Sequence, residues 1–213
     1  DGLAAQLLPP EHSLDGWRLP TTTITESFNK ADSDILGPDL TWTELQGDID
    51  IVANRARSQS TNFNTARADT DLASDDHYTQ ADVTVSGTGI SGPSVTVRKM
   101  STAEDTQYRL SGRFDLDVLR FWKDVAGVNT QLGADVAYTL NAGTFYTFKL
   151  SVDASTLEGF VNGVSQGTRS DTAITGNLRT GITTWHNTAG DYSEWDIFEA
   201  ADLAAVQRRA SVI

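Results

Sequence analysis

Cysteine is absent from the 213 residues, methionine occurs once, and histidine occurs three times, as His12, His77 and His186. Without cysteine there is no disulfide, no thiol nucleophile and no cysteine-ligated zinc. The three histidines stand far apart in the chain, which argues against a His-rich metal site. Long apolar runs are missing too: none approaches the ~18 residues that a membrane-spanning helix needs. The opening "DGLAAQLLPP" lacks the basic start and apolar core of a secretory leader. Positive charge is the scarcer sign, with 16 Lys and Arg against 29 Asp and Glu, a net charge of −13. Of that, −10 lies in residues 1–106 and −3 in residues 107–213. Such a balance argues against a nucleic-acid partner, because phosphate binding needs a basic face. No Asn-x-Ser/Thr sequon occurs, which fits a bacterial or viral origin.

What is present is alternation. From Thr23 onward, stretches rich in Thr, Val, Ile, Tyr, Phe and Trp repeat with period two. The windows 77–85, 93–100, 106–112, 118–125, 145–153, 157–163, 180–186 and 193–200 all read as strands. Gly, Asn, Asp and Ser separate them, and no sustained helical period interrupts. An all-β, antiparallel sandwich or barrel is therefore expected. Asn162-Gly163 sits between two alternating runs, where the dipeptide favours a two-residue hairpin turn. The Gly-rich "SGTGISGPS" (86–94) lacks the strand–loop–helix setting of a phosphate loop and reads as a turn. In "RFW", Phe121 and Trp122 must face opposite ways, one into the core and one outward. Three units follow: an N-terminal arm over 1–22, a sandwich domain over 23–203 and a tail over 204–213, the last with room for a turn or two of helix. Pro9, Pro10 and Pro20 punctuate the arm, while Leu3, Leu7, Leu8, Trp17 and Leu19 make it too apolar for a solvated linker.

Three segments carry a resemblance. They are "ESFNKADSDILGPDLTWTELQGDIDIVANRARS" (26–58), "YTFKLSVDASTLEGFVNGVSQGT" (146–168) and the closing "DYSEWDIFEA" (191–200). In order and spacing they resemble the concanavalin A-like lectin/glucanase superfamily, in its laminin-G-like branch, over residues 24–202. The resemblance implies a jelly-roll sandwich whose first and last strands lie side by side. It leaves function open, because the fold hosts lectins, hydrolases, lyases and structural modules.

Within the last segment, Glu194, Asp196 and Glu199 form E-x-D-x-x-E, which resembles the catalytic strand of laminarinases and lichenases. In those enzymes one Glu is the nucleophile, the Asp assists and the other Glu is the acid/base. Retaining hydrolysis needs two carboxyls about 5–5.5 Å apart on one face. On a regular strand Glu194, Asp196 and Phe198 share one face, and Trp195, Ile197 and Glu199 share the other. Only a β-bulge would gather the three acids, and the resemblance implies one, since those enzymes carry it there. The Trp at 195, where the enzymes carry an aliphatic residue, and the position of the motif at the domain's end both depart from the enzyme pattern. A regular strand with Trp195 and Ile197 in the core is the expectation, and no catalytic residue is assigned.

Two further clusters are candidates. In "TTWHNTAGDYSEW" (183–195), Trp185, His186, Asn187, Asp191 and Tyr192 offer aromatic rings beside polar groups, the combination that sugar recognition uses. In "ADTDLASDDH" (68–77), Asp69, Asp71, Asp75 and Asp76 crowd a loop whose oxygens suit Ca²⁺, although an EF-hand's Gly and closing Glu are missing. A solvated acidic loop is the stronger expectation there, and apart from Ca²⁺ no cofactor is implied. Phage structural proteins contain domains similar to this one, and exposed apolar arms usually mark partner surfaces. The leading expectation is thus a non-enzymatic virion component, a bacteriophage capsid-decoration or tail protein. Its arm would contact other virion chains or further copies of itself, in a virion or extracellular setting. A carbohydrate-binding module recognising a surface polysaccharide is the alternative. A glycoside hydrolase using Glu194, Asp196 and Glu199 stands third.

Overall fold

The computed structural model describes residues 21–87, 91–100 and 106–203. Among them are sixteen strands and no helix. In chain order these begin with β1 (Thr23–Glu26), β2 (Trp42–Gln46), β3 (Ile49–Ile51), β4 (Ala56–Ser58), β5 (Asn62–Ala68) and β6 (His77–Ser86). They continue with β7 (Ser94–Lys99), β8 (Gln107–Arg113), β9 (Val118–Val125), β10 (Val128–Gln131) and β11 (Val136–Ala137). The last five are β12 (Tyr146–Asp153), β13 (Thr156–Val161), β14 (Val164–Ser170), β15 (Arg179–His186) and β16 (Tyr192–Asp202). The arm residues Leu3, Leu7, Leu8, Trp17 and Leu19 and the tail 204–213 lie outside the described residues.

Two eight-stranded antiparallel sheets face each other. One runs β14-β13-β12-β6-β16-β4-β3, with β1 also on β16. The other runs β10-β9-β8-β7-β15-β5-β2, with β11 also on β9. Alternation decides which side chains meet between them. Phe148, Leu150, Val152, Val83, Trp195 and Phe198 come from the first sheet, and Tyr108, Leu110, Phe121, Val95, Val97 and Ile182 from the second. Each such side chain contributes about 1.5–3 kcal/mol on full burial. Trp195, fully buried, also donates its indole N–H to the Ser94 carbonyl at 3.2 Å, tying the sheets together with a polar bond.

The first and last strands pair, Thr23 opposite Ala201 through Glu26 opposite Phe198. Asp202 locks this junction, its carboxylate accepting from the Thr22, Ala73 and Ser74 N–H groups at 2.6, 3.2 and 2.8 Å. All eight windows read from alternation correspond to strands, namely β6 to β9, β12, β13, β15 and β16. Phe121 is core, and Trp122 is half-buried on the outer side. At the β13–β14 hairpin Asn162 and Gly163 both have positive φ, 51° and 77°, the conformation a two-residue turn requires. By contrast, β5 gave no signal in the sequence. From Asn64 to Ala68 it is buried on both faces, and its core-side residues are Asn64 and two alanines, so polarity does not alternate.

Candidate functional site

The central strand β16 is not regular. Its register against β6 shifts between Asp196 and Glu199, so the strand carries a bulge. Ile197 sits at the bulge with φ 46° and is 64 % exposed, while Phe198 turns into the core. The expectation that Ile197 packs inside is thereby corrected, and the physical cause is the extra residue, which flips the alternation after it. The Asp196 carboxylate pins the irregularity by accepting the Ile197 N–H at 2.9 Å. As a result Glu194, Asp196 and Glu199 all face outward from the same sheet, against the regular-strand expectation.

Each acid is already engaged. Arg57, opposite Glu194 on β4, donates from Nε and Nη2 to Glu194 Oε1 at 2.9 and 2.5 Å. Arg55 lies further off, with Nη1 3.7 Å from Glu194 Oε2 and Nε 3.7 Å from Asp196 Oδ2. Glu199 accepts a short hydrogen bond from the Tyr78 hydroxyl. Burial, and then this carboxylate, push Tyr78 up to about 12. Lys149 covers the Tyr78 ring at 3.7 Å from its centroid, and burial holds the amine below its ordinary value. Asp82, directly across from Asp196, accepts from the Thr147 hydroxyl.

Beside Glu194 the outer face opens into a cleft of about 380 Å³. Thr84, Glu194, Arg55, Phe145 and Tyr192 line it, and Ser86, Gly87, Ala142 and Gly143 keep its rim low. Two guanidiniums lie on its aromatic rings: Arg55 is 4.7 Å from the Phe145 centroid and Arg57 is 4.0 Å from that of Tyr192. The Gly87 position matters to the rim. With φ 90°, it lets the Asp191 carboxylate approach so closely that a Cβ there would meet it at 1.8 Å.

The five sugar-site candidates from the sequence do not assemble. Tyr192 belongs to the cleft, with Asp191 beside its rim. Trp185 stands on the opposite sheet, half-buried and paired across β5 with Phe63. His186, 1 % exposed, lies between the sheets, its Nε2 3.0 Å from the Ser58 hydroxyl, and burial pushes its pKa down. Asn187 is exposed on the β15–β16 loop. Consecutive residues on a strand point to opposite faces, which is why a run of sequence neighbours is split in this way.

The acidic loop is drawn to arginines. Asp69 meets Arg67 at 2.7 Å and Arg179 at 3.2 Å, and Asp71 meets Arg179 at 2.6 Å. Asp76 pairs with Arg98 at 3.1 Å, and Asp75 accepts the Gly176 N–H at 2.7 Å. These four do not fit a shared Ca²⁺ shell, and among the described residues no three potential ligands gather to hold a metal ion. Arg55, Arg57, Thr84 and Phe145 were not candidates from the sequence. A residue there is recognisable only once β4, β6, β12 and β16 are known to be neighbours.

No family model matches the sequence, and no curated protein matches it. Solved structures do. The carbohydrate-binding module CBM66 of Bacillus subtilis superposes with a TM-score of 0.59 at 15 % identity, over 76 % of this chain and 92 % of that one. The β-glucanase of Bacillus licheniformis gives 0.60 at 11 %, over 85 % and 98 %. The exoplasmic/lumenal domain of VIP36, in a Ca²⁺/Man-bound form, gives 0.60 at 8 %, over 78 % and 84 %. Carbohydrate-binding proteins and glycosidases thus share this architecture. At such identities the likeness speaks for architecture alone, and with the two facing sheets it gives the conclusion: the chain folds as an antiparallel jelly-roll sandwich.

Proposed function

We propose that this protein is a non-catalytic glycan-binding module that uses the cleft beside Glu194. One observation carries the proposal. On the outer face of the central strand, acidic, basic and aromatic side chains converge on a small concave site, the usual form of a ligand pocket. The three acids share a face, so geometry alone does not separate binding from hydrolysis. The state of Glu194 favours binding. Its side chain belongs to a residue only 5 % exposed, and Arg57 forks one oxygen. A carboxylate forked by an arginine in that way is suited to anchoring a ligand, which supports the binding reading.

The test pairs binding with turnover. Calorimetric titration against a panel of soluble oligosaccharides is expected to find a ligand, and Ala142→Trp, which fills the cleft mouth, to abolish its binding. Reducing-sugar assays on β-glucans are expected to stay at the blank. Hydrolysis lost in Glu194→Gln would replace the proposal with a glycosidase.

A virion role has one specific observation in its favour. The chain enters the domain at Thr22 and leaves at Leu203, side by side, with the Asp202 N–H donating to the Thr22 carbonyl at 3.1 Å. The cleft lies toward the other end of β16. A module carried by its ends and binding at its far side suits display on a larger particle.

A further inference from the structure

On the second sheet, away from the cleft, three polar side chains are buried side by side on the outer face. Lys99, Gln107 and Asp124 are 1 %, 0 % and 0 % exposed. They come from three neighbouring strands. Gln107 on β8 pairs directly with Asp124 on β9. Lys99 on β7 joins them through an irregularity. Arg179 and Gly181 of β15 pair with Lys99 and Thr96, so β7 carries one residue too many there, and Arg98 has φ 48°. That conformation is costly for a residue with a side chain, and the bulge turns Lys99 to the face that carries Gln107. Room for the lysine is present as well. A Cβ on Gly181 would meet Lys99 Cδ at 3.1 Å.

The contacts orient a reaction. Lys99 Nζ donates to Gln107 Oε1 at 2.5 Å and to Thr65 Oγ1 at 2.9 Å. Gln107 Nε2 donates to Asp124 Oδ2 at 3.1 Å, and Arg109 Nε donates to the same oxygen at 2.8 Å. A cationic donor on its oxygen and a carboxylate on its nitrogen fix which way the carboxamide points. Because a C=O bond is about 1.2 Å long, Nζ lies at most about 3.7 Å from Cδ, close to the ~3–3.5 Å of a near-attack pair. Two reactants held in this way react as if at concentrations of about 10⁵–10⁸ M when well aligned. Burial keeps water, the competing nucleophile, away.

We propose that Lys99 and Gln107 become joined by an isopeptide bond, a modification independent of any ligand in the cleft. The step needs no co-reactant. One proton passes from Nζ to Oε1 along their hydrogen bond, and the freed lone pair bonds Cδ. A second proton passes from Nζ to Nε2. The Cδ–Nε2 bond then breaks with its electron pair on nitrogen, the carbonyl re-forms, and the Oε1 proton leaves with the departing ammonia as ammonium. Asp124 accepts from Nε2 and is placed to stabilise the positive charge that gathers there. The product is a covalent rung between β7 and β8.

Intact-mass spectrometry of the full chain, followed by peptide mapping, tests this. The protein is expected to weigh one ammonia less than its sequence. Mapping is expected to give a branched peptide in which Lys99 resists both trypsin and amine acetylation. Lys99→Met and Gln107→Met, each checked for folding by circular dichroism, should show the full sequence mass. Asp124→Asn should form the bond about tenfold or more slowly, read as the unlinked fraction against time; formation at the parent's rate would overturn the part assigned to Asp124. The parent's own peptide map decides the proposal even where a variant does not fold. A parent mass equal to the sequence, both fresh and after prolonged warming below the melting point, overturns it and leaves a hydrogen bond only. Ammonia lost at another place, such as a succinimide at Asn162-Gly163, gives the same mass and also overturns it.

Discussion

His77 and His186 are buried at 0 % and 1 % exposure, and burial is the leading cause that lowers both below the ordinary value of 6.5. His77 accepts the Arg98 N–H at Nε2 (3.0 Å), so a proton there displaces a backbone bond. Because the folded state resists charging these rings, their contribution to stability is complete above about pH 6.5 and declines as pH falls below it. Asp50 works in the opposite direction. Burial, then the charges of Asp48 and Asp34, raise it from 3.8 to about 6, and its Oδ1 is buried without a partner. A carboxyl raised in this way favours folding most below pH 3.8 and progressively less as pH rises through 6. Asp50→Asn is therefore expected to raise stability at pH 8 by up to about 1 kcal/mol after solvent screening, and to change little at pH 4. Chemical denaturation of parent and variant from pH 4 to 8 checks both signs. In the variant, the remaining acid-side loss belongs mainly to the two histidines, and a flat profile below pH 6.5 would refute their role.

The bulge in β16 is the element on which the site turns. A β-branched residue at positive φ costs roughly 1–3 kcal/mol, and Ile197 bears this cost while exposing most of its side chain. Glycine at that position keeps the bulge without the steric penalty, so Ile197→Gly should stabilise the domain by about 1 kcal/mol and leave glycan binding intact. A lower melting temperature would mean that the Ile side chain makes contacts the fold needs. The same bulge marks where sequence reasoning stopped. Strands with strong alternation, such as "HYTQADVTV" or "FYTFKLSVD", were legible because one face is apolar and the other polar. The Asn162-Gly163 turn was legible because few dipeptides take that conformation. The bulge was legible only through the E-x-D-x-x-E resemblance, since by alternation nothing in "SEWDIFEA" distinguishes a flipped Ile197 from a buried one; its position lets Trp195 and Phe198 both reach the core. The cleft was legible only through Tyr192 and Glu194. Its other members come from strands whose adjacency is a property of the whole sheet.

On the scale of the molecule, β16 runs from the cleft to the junction of the first and last strands. Glu194 and Asp202 are eight residues apart, about 26 Å along an extended strand. Near the first is the cleft; at the second, Asp202 clamps the entering Thr22 to the loop at Ala73 and Ser74. The Leu203 N–H donates to the Asp76 carbonyl at 2.9 Å, so the exit is tied to the same loop. These bonds close the sandwich from Thr22 onward, with β1 paired along its full length. Residues 1–20 add Leu3, Leu7, Leu8, Trp17 and Leu19, each an apolar side chain whose burial is worth about 1.5–3 kcal/mol wherever it docks. From the sequence, Pro9, Pro10 and Pro20 are poorly suited to an interior strand, because proline donates no ladder hydrogen bond. A partner surface, on a second copy or a particle, takes such a segment without asking it to pair. Deleting residues 1–20 is accordingly expected to change unfolding stability by less than about 1 kcal/mol, to leave oligosaccharide binding as in the parent, and to abolish self-association or particle attachment. Differential scanning calorimetry and sedimentation of the two forms measure both halves of that statement. A steep fall in melting temperature on deletion would make the segment part of the domain's own core and remove the ground for an attachment role.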